Sequence, residues 1–338
     1  MAITAQGIVD RMQQKLGSGW NNTPVDTFLT GDRNSEVKGI VTTYAPSLEV
    51  LHKAVAAGKN MVISLESPFW SRPAALTPGG TSPGGPQVGP PGFRNPVRPS
   101  GGAGAPGGAN AGRGAGRGGA NAGRGAAAPD DAAAPVGGGR GQSMENDALY
   151  KVKSGYIAAN NLIVYRFFEN WKARQPDPQL VGLLKALGWD KNYKPPEGVP
   201  WATHHAAFVA IPPSTLREAA QNIKKTLRMR SIRIVGEPDT RVSKAAVSHG
   251  IALLVDLERY VAEPGVDLVI MGEAIWENEG TQYFFDLVAE GQKKGLLIIG
   301  QEVSSEPGCG EMAAWLKSFI SEVPVEWIPT GEPSWLPF

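Results

Sequence analysis

Acidic, amide and hydroxyl side chains gather at three places in the chain, each directly after an apolar run. They are Ser64-Leu65-Glu66-Ser67 after MVI, Glu169-Asn170 with Lys172 after YRFF, and Gln301-Glu302-Val303-Ser304-Ser305-Glu306 after LLIIG. Carboxylates so placed can ligate divalent cations or move protons. Each cluster alone matches an ordinary solvated loop, and only the recurrence at three run ends marks them. The four histidines offer less. His204 and His205, in WATHHAAF, are neighbours in an expected strand, where adjacent side chains point to opposite faces, so the pair reads as structural. His52 shares a helix with Lys53 and reads as exposed, and His249 precedes Gly250 in a turn. Cys309 is the only cysteine, which excludes a disulfide framework and a cysteine-based zinc cluster and suits a reducing compartment. Its GCG setting reads as a helix entry. No GxSxG, P-loop or GxGxxG sequence stands between an apolar strand and a helix.

Those run ends are positioned by an alternation of strands and helices. An amphipathic helix from about Thr4 to Leu16 precedes a strand Val37 to Tyr44. A helix capped by Ser47 and ended by Gly58 follows, then a strand Asn60 to Glu66, which closes a βαβ unit of the right length for a parallel pair. Later come a helix Asn146 to Asn160, a strand Asn161 to Phe168 and a helix Pro178 to Leu187. The remainder reads as a strand AAFVAI, a helix Thr215 to Arg228 capped by Ser214, a strand SIRIVG, the segment KAAVSHG, a helix IALLVDLERYVAE, a strand VDLVIMG, a helix TQYFFDLVAEGQKKG, a strand LLIIGQ, a helix Gly310 to Ser321 and a strand VPVEWI. Repeated βα units with apolar strands imply an α/β protein of mostly parallel sheets flanked by helices.

Between the two flanks the composition turns abruptly to Gly, Ala and Pro, with Arg94, Arg98, Arg113, Arg117, Arg124 and Arg140 against Asp130 and Asp131, and with no Lys or Glu. Such a tract buries too little apolar surface to offset its ordering entropy and reads as a disordered insertion. An RNA-binding arm would interleave aromatics for base stacking, and only Phe93 is present. The expected organisation is a first α/β lobe from 1–75 and 143–194, the insertion at 76–142 and a second lobe at 195–338.

Formal net charge is +1, from 33 basic and 32 acidic side chains, so no strong field nominates nucleic acid or a membrane surface as partner. The longest apolar runs, such as Leu296 to Ile299, fall far below the roughly 18 residues of a membrane span, and the amino-terminal helix pattern differs from a signal-peptide core. A cytoplasmic protein is the expectation.

The order of motifs adds a family. GW-N-N, then GD with VKGIVTTYAPSLEVLHKAVAAGKNMVISLESPFW, resembles the amino-terminal signature of the Nif-three-like family. RIVGEPDTRVSKAAVSHG, MGEAIWEN and IIGQEVSSEPG before MAAWLKSFI resemble its carboxyl-terminal signature. LESPFW and RFFENWKAR look closest to relatives that carry His-Glu-Pro-Thr-Phe-Tyr and Arg-Phe-His-Asp-His-Trp-His there. The match spans nearly the whole chain apart from the insertion.

The resemblance implies two metal ions at the lobe interface, held by five main ligands. Carried over without gaps, those positions are Leu65, Glu66, Lys172, Gln301 and Ser305. Leu and Lys cannot ligate at neutral pH, and Gln and Ser are poor ligands, so only Glu66 survives. A one-residue slip at the last motif supplies Glu302 and Glu306 at the required four-residue spacing but breaks the match of Pro307-Gly308. A retained site would therefore use Glu66, Glu302 and Glu306 for zinc, manganese or iron, whereas the losses favour no cofactor. The resemblance also implies a homohexameric ring, to which Trp276, Tyr283, Phe284 and Phe285 would offer aromatic surface. Two functions compete: a catalytically degenerate oligomeric or small-molecule-binding member, and a metal-dependent hydrolase of a small nucleotide-like substrate, like type-two GTP cyclohydrolase homologues. RNA contact through the Arg-Gly tract is a third.

Overall fold

The computed structural model describes residues 2–69, 147–195, 206–274 and 277–337. The insertion expected at 76–142, with its RNA-binding alternative, lies outside the described residues, as do His204, His205 and Trp276.

Helix α1 (Ala5–Leu16) starts at Thr4, whose hydroxyl accepts from the Gly7 amide at 3.1 Å. Strands β1 (Phe28–Thr30) and β2 (Ile40–Thr43), helix α2 (Leu48–Ala56) and strand β3 (Met61–Ser64) follow. Ser47 caps α2 as expected, accepting from the Val50 amide, and Gly58 after it has φ +69°. Then come α3 (Ala148–Ala159), β4 (Ile163–Arg166), the single turn α4 (Glu169–Lys172) and α5 (Pro178–Leu187).

The later half runs β5 (Ala207–Thr215), α6 (Leu216–Thr226), β6 (Arg233–Val235), β7 (Arg241–Val247), β8 (Ile251–Ala252), α7 (Leu254–Ala262), β9 (Leu268–Met271) and β10 (Glu273–Ala274). It ends with α8 (Glu277–Ala289), β11 (Gly295–Ile298), α9 (Gln301–Ser305), α10 (Pro307–Lys317) and β12 (Val325–Trp327). Thr215, rather than Ser214, caps α6. Its hydroxyl accepts from the Glu218 amide while the Glu218 carboxylate accepts from the Thr215 amide, and β5 runs on to Thr215 where the expected strand AAFVAI ended at Ile211.

Two five-stranded sheets result. The first has the order β1-β4-β3-β2-β12, parallel except for β1, and the second has the order β5-β7-β9-β11-β6, with a parallel centre and antiparallel edges. Strands β2, β3, β4, β9 and β11 are buried along their whole length, the expected state of parallel strands covered on both faces.

The chain does not divide cleanly at residue 195. Leu180, Leu183, Leu184 and Leu187 of α5 pack into the core of the second sheet. Cys309, Met312 and Leu316 of α10 pack into the core of the first, and β12 is hydrogen-bonded to β2 there. The two helices that cross over meet backbone to backbone. A Cβ on Gly182 would lie 2.6 Å from the Pro307 carbonyl carbon, and one on Gly308 would lie 2.6 Å from Gln179 Cα. Only glycine allows that approach. Replacing either by alanine, as Gly182→Ala or Gly308→Ala, should destabilise the protein by about 1–3 kcal/mol, because the main chain must shift to make room. Urea unfolding checks this, and a midpoint unchanged in both variants would contradict the contact.

Candidate functional site

The carboxyl ends of β2, β3 and β4 lie side by side, because the three strands are parallel and in register from Thr43 to Ser64 to Arg166. Ligand sites in open parallel sheets form beyond such ends. Glu66 is held there by its amide on the Tyr44 carbonyl at 2.9 Å and by the Ser64 hydroxyl on its own carbonyl at 2.7 Å. Its charge partner is Arg166, the last residue of β4. Arg166 is buried, and its Nε donates to the Leu65 carbonyl at 3.0 Å while Nη2 lies 3.5 Å from Glu66 Oε2. The guanidinium also sits 5.4 Å from the Phe168 ring centroid. Burial pushes the Glu66 carboxyl above the usual carboxylate range, and the Arg166 charge opposes that rise.

The other implied metal positions have local roles. Leu65 is fully buried in the core of the first sheet. Lys172 closes α4 with its ammonium 5.6 Å from the Phe168 ring, and its charge acts on Asp177. That turn is fixed from far away in sequence. The Asp26 carboxylate accepts from the amides of Phe168, Glu169 and Asn170 and from Asn170 Nδ2, all at 2.7–2.9 Å, and Asn170 Oδ1 accepts from the Asn21 amide at 2.7 Å. Gln301, expected as the end of the strand LLIIGQ, and the residues after it to Ser305 form α9, which begins after Gly300 at φ +91°. Ser305 is buried, and its neighbour Ser304 accepts from the Gly250 amide at 2.9 Å while donating to the Gln301 carbonyl.

Glu306 joins α9 to α10 and fastens three segments. Its Oε1 accepts from Trp327 Nε1 at 2.9 Å and from the Tyr44 amide at 3.3 Å, and its Oε2 accepts from the Thr330 amide at 3.0 Å. Burial raises its pKa while those donors pull it down. Glu66, Glu302 and Glu306 do act on one common group, the Tyr44 phenol. Burial first, then the charges of Glu66, Glu302, Cys309 and Glu306, hold that phenol protonated well beyond the ordinary tyrosine range. Acting on one phenol is a looser condition than ligating one ion. Among the described residues no group of three or more His, Cys, Asp or Glu side chains is close enough to hold a metal ion. With Glu66 facing Arg166 and both Glu306 oxygens engaged, the residues present do not fit a dinuclear metal centre.

His249 has a partner that the sequence concealed. Its Nε2 lies 2.8 Å from Asp177 Oδ2, and Asp177 Oδ1 caps α5 through the Gln179 amide at 2.9 Å. The pair is nearly buried and ties the loop after β7 to the start of α5. His52 is exposed, as expected, with its ring against Tyr156. Cys309 is fully buried with its thiol pKa pushed up, first by burial and then by Glu306, which fits packing and excludes a thiolate nucleophile.

Beside Glu66 lies a cavity of about 520 Å³. Pro46, Leu48, Phe69 and Leu149 give it apolar walls, and Glu66, Lys153 and Arg166 give it charge. Lys153 is buried, donates to the Pro68 carbonyl and lies 5.9 Å from the Phe69 ring.

Two mostly parallel sheets exchanging helices define a two-lobed α/β protein, and the residues lining the cavity all come from segments 45–69 and 149–166, around the first sheet. A protein of Staphylococcus aureus, hypothetical protein SA1388, has this fold at a TM-score of 0.59 and 14% identity, over 97% of each chain. A Bacillus cereus protein related to NIF3 aligns at 0.59 and 12%, over 99% of this chain and all of the other, and reduced HcgD of Methanocaldococcus jannaschii at 0.52 and 13%, over 96% and 98%. No family model and no curated protein matches the sequence. The chain is thus similar in fold to these proteins, one of them described as related to NIF3, which is the fold that the order of its motifs implied.

The Asp177–His249 pair carries a pH signature. Burial opposes ionisation of Asp177, but the His249 charge and hydrogen bond, the Gln179 amide and Lys172 outweigh it, so the carboxyl is held below its ordinary value. A depressed folded pKa contributes stability that is present above the unfolded value of about 3.9 and is lost as pH falls through the folded value. Asp177→Asn should therefore lower the unfolding midpoint near neutrality and flatten its fall below about pH 4. Thermal unfolding across pH checks this, and an acid limb of unchanged slope would contradict it.

Proposed function

We propose that this chain is a catalytically degenerate Nif-three-like protein that binds a small molecule in the cavity beside Glu66 and works without a resident metal. The observation that carries the reading is the Arg166–Glu66 pair. A guanidinium occupies the surroundings of the one carboxylate that the family pattern leaves in place, where a second positive charge from a divalent ion would be repelled. Hydrolysis by metal-activated water needs three or more donors converging on an ion, and two of the candidates, Glu66 and Glu306, are engaged by other groups of the protein. The cavity supports the binding half of the proposal. Its apolar walls with a few charged groups are the usual make-up of a small-molecule site, and its volume suits a ligand of modest size.

The same proposal takes the protein to be a cytoplasmic homo-oligomer, a hexamer by resemblance. Val255 on α7 and Phe285 on α8 are 54% and 64% exposed and supply apolar surface for it. Among the described residues no helix is long and apolar enough to cross a membrane.

Metal analysis of protein purified without chelator, at a mass fixed by light scattering, tests the account. The expected content is far below one ion per chain. About two tightly bound ions per chain would overturn it and favour the metal-dependent hydrolase reading, and a monomer mass would remove the oligomer.

A further inference from the structure

The cavity beside Glu66 contains a group that neither metal chemistry nor simple binding uses, the Lys153 amine. Resting on the small-molecule reading above, we propose that Lys153 forms a reversible imine with a small aldehyde or ketone that also carries a carboxylate, the carboxylate being held by Arg166.

Three features support this. Lys153 projects from α3, where Val152 beside it is exposed, yet its own side chain is 6% exposed and lines the cavity wall. A lysine that takes its long side chain into a protein interior gives up solvation of an ammonium, which ordinary surface lysines keep. Burial accordingly lowers its pKa to about 8, so an appreciable share of the amine is neutral and nucleophilic near neutral pH. The cavity also brings in Arg166, whose planar fork suits a carboxylate, and its walls of Pro46, Leu48, Phe69 and Leu149 suit a hydrocarbon or aromatic body between the two functional groups. These are the parts of a carbonyl-capturing site: amine, anion anchor and apolar wall.

The chemistry balances without an oxidant or reductant. The neutral Lys153 nitrogen gives up its hydrogen bond to the Pro68 carbonyl and attacks the carbonyl carbon, forming the C–N bond. The carbonyl oxygen then leaves as water, taking one hydrogen from the attacking nitrogen and one proton from solvent, which replaces the proton the ammonium released on becoming neutral. The C–O bond breaks and a protonated imine remains. Hydrolysis reverses each step.

The test uses the full-length protein and 4-formylbenzoate, which combines an aromatic aldehyde with a carboxylate, trapped with cyanoborohydride near pH 7.5 and mapped by peptide mass spectrometry. The expected result is labelling of Lys153 at least about 10-fold above any other lysine, as the pKa difference from an ordinary lysine implies. Benzene-1,4-dicarboxylate should suppress that labelling, and Lys153→Arg should abolish it. If the arginine variant fails to fold, mapping of the unchanged protein still decides the matter. Labelling spread over exposed lysines with Lys153 unmodified overturns the imine inference. Should the dicarboxylate nevertheless raise the unfolding midpoint, the small-molecule reading survives alone. If it neither raises the midpoint nor protects Lys153, both fail. Metal content bears on neither arm.

Discussion

The crossing of α5 and α10 is the contact on which the rest of the architecture depends. Gly182 and Gly308 let Gln179 and Pro307 approach with no side chain between them, so each helix can bury its apolar face in the opposite lobe. The crossing places Glu306 immediately before α10, at the ends of β2 and β12. There its carboxylate gathers donors from Tyr44, Trp327 and Thr330. Asp177, at the other end of the contact, reaches across to His249. The lobe junction is thus closed by two buried acids, each satisfied within the protein.

That closure bears on chemistry. A metal centre needs carboxylates and imidazoles whose lone pairs are free to converge. Here Glu306 is saturated by an indole and two amides, Asp26 by the turn at α4, and Asp177 by His249 and an amide. Glu66 keeps partial exposure, as Glu302 does, and it faces a buried guanidinium. A buried acid is costly unless its hydrogen bonds are made, so the groups that stabilise the junction have their lone pairs engaged within the protein. What remains accessible is the cavity, whose charged groups are Glu66, Lys153 and Arg166.

Much of the fold was legible because the signals were local. Ser47 caps its helix in place, five of the apolar runs became fully buried parallel strands, and the motif order implied the fold that the structural neighbours show. The misses came from partners distant in sequence. Strand β1 is three residues of mixed polarity paired to β4, and α4 is capped by Asp26, more than 140 residues earlier, so neither leaves a local pattern. Leu65 stands where the resemblance implied a metal ligand, yet it is a core residue of the first sheet. Arg166 was hidden inside the run YRFF. An arginine in a strand buried on both faces requires an acidic or carbonyl partner, and that signal would have paired it with Glu66. Asp177 and His249 had no such signal, since only the helix crossing brings them together.

The central claim is that Arg166 and internally satisfied carboxylates have taken over the former metal site. It is tested most directly by anomalous scattering from crystals equilibrated with manganese or zinc. The account predicts no anomalous peak among Tyr44, Glu66, Glu302 and Glu306, with density for the Arg166 guanidinium against Glu66. Two strong peaks there, ligated by these carboxylates with Arg166 displaced, would contradict it.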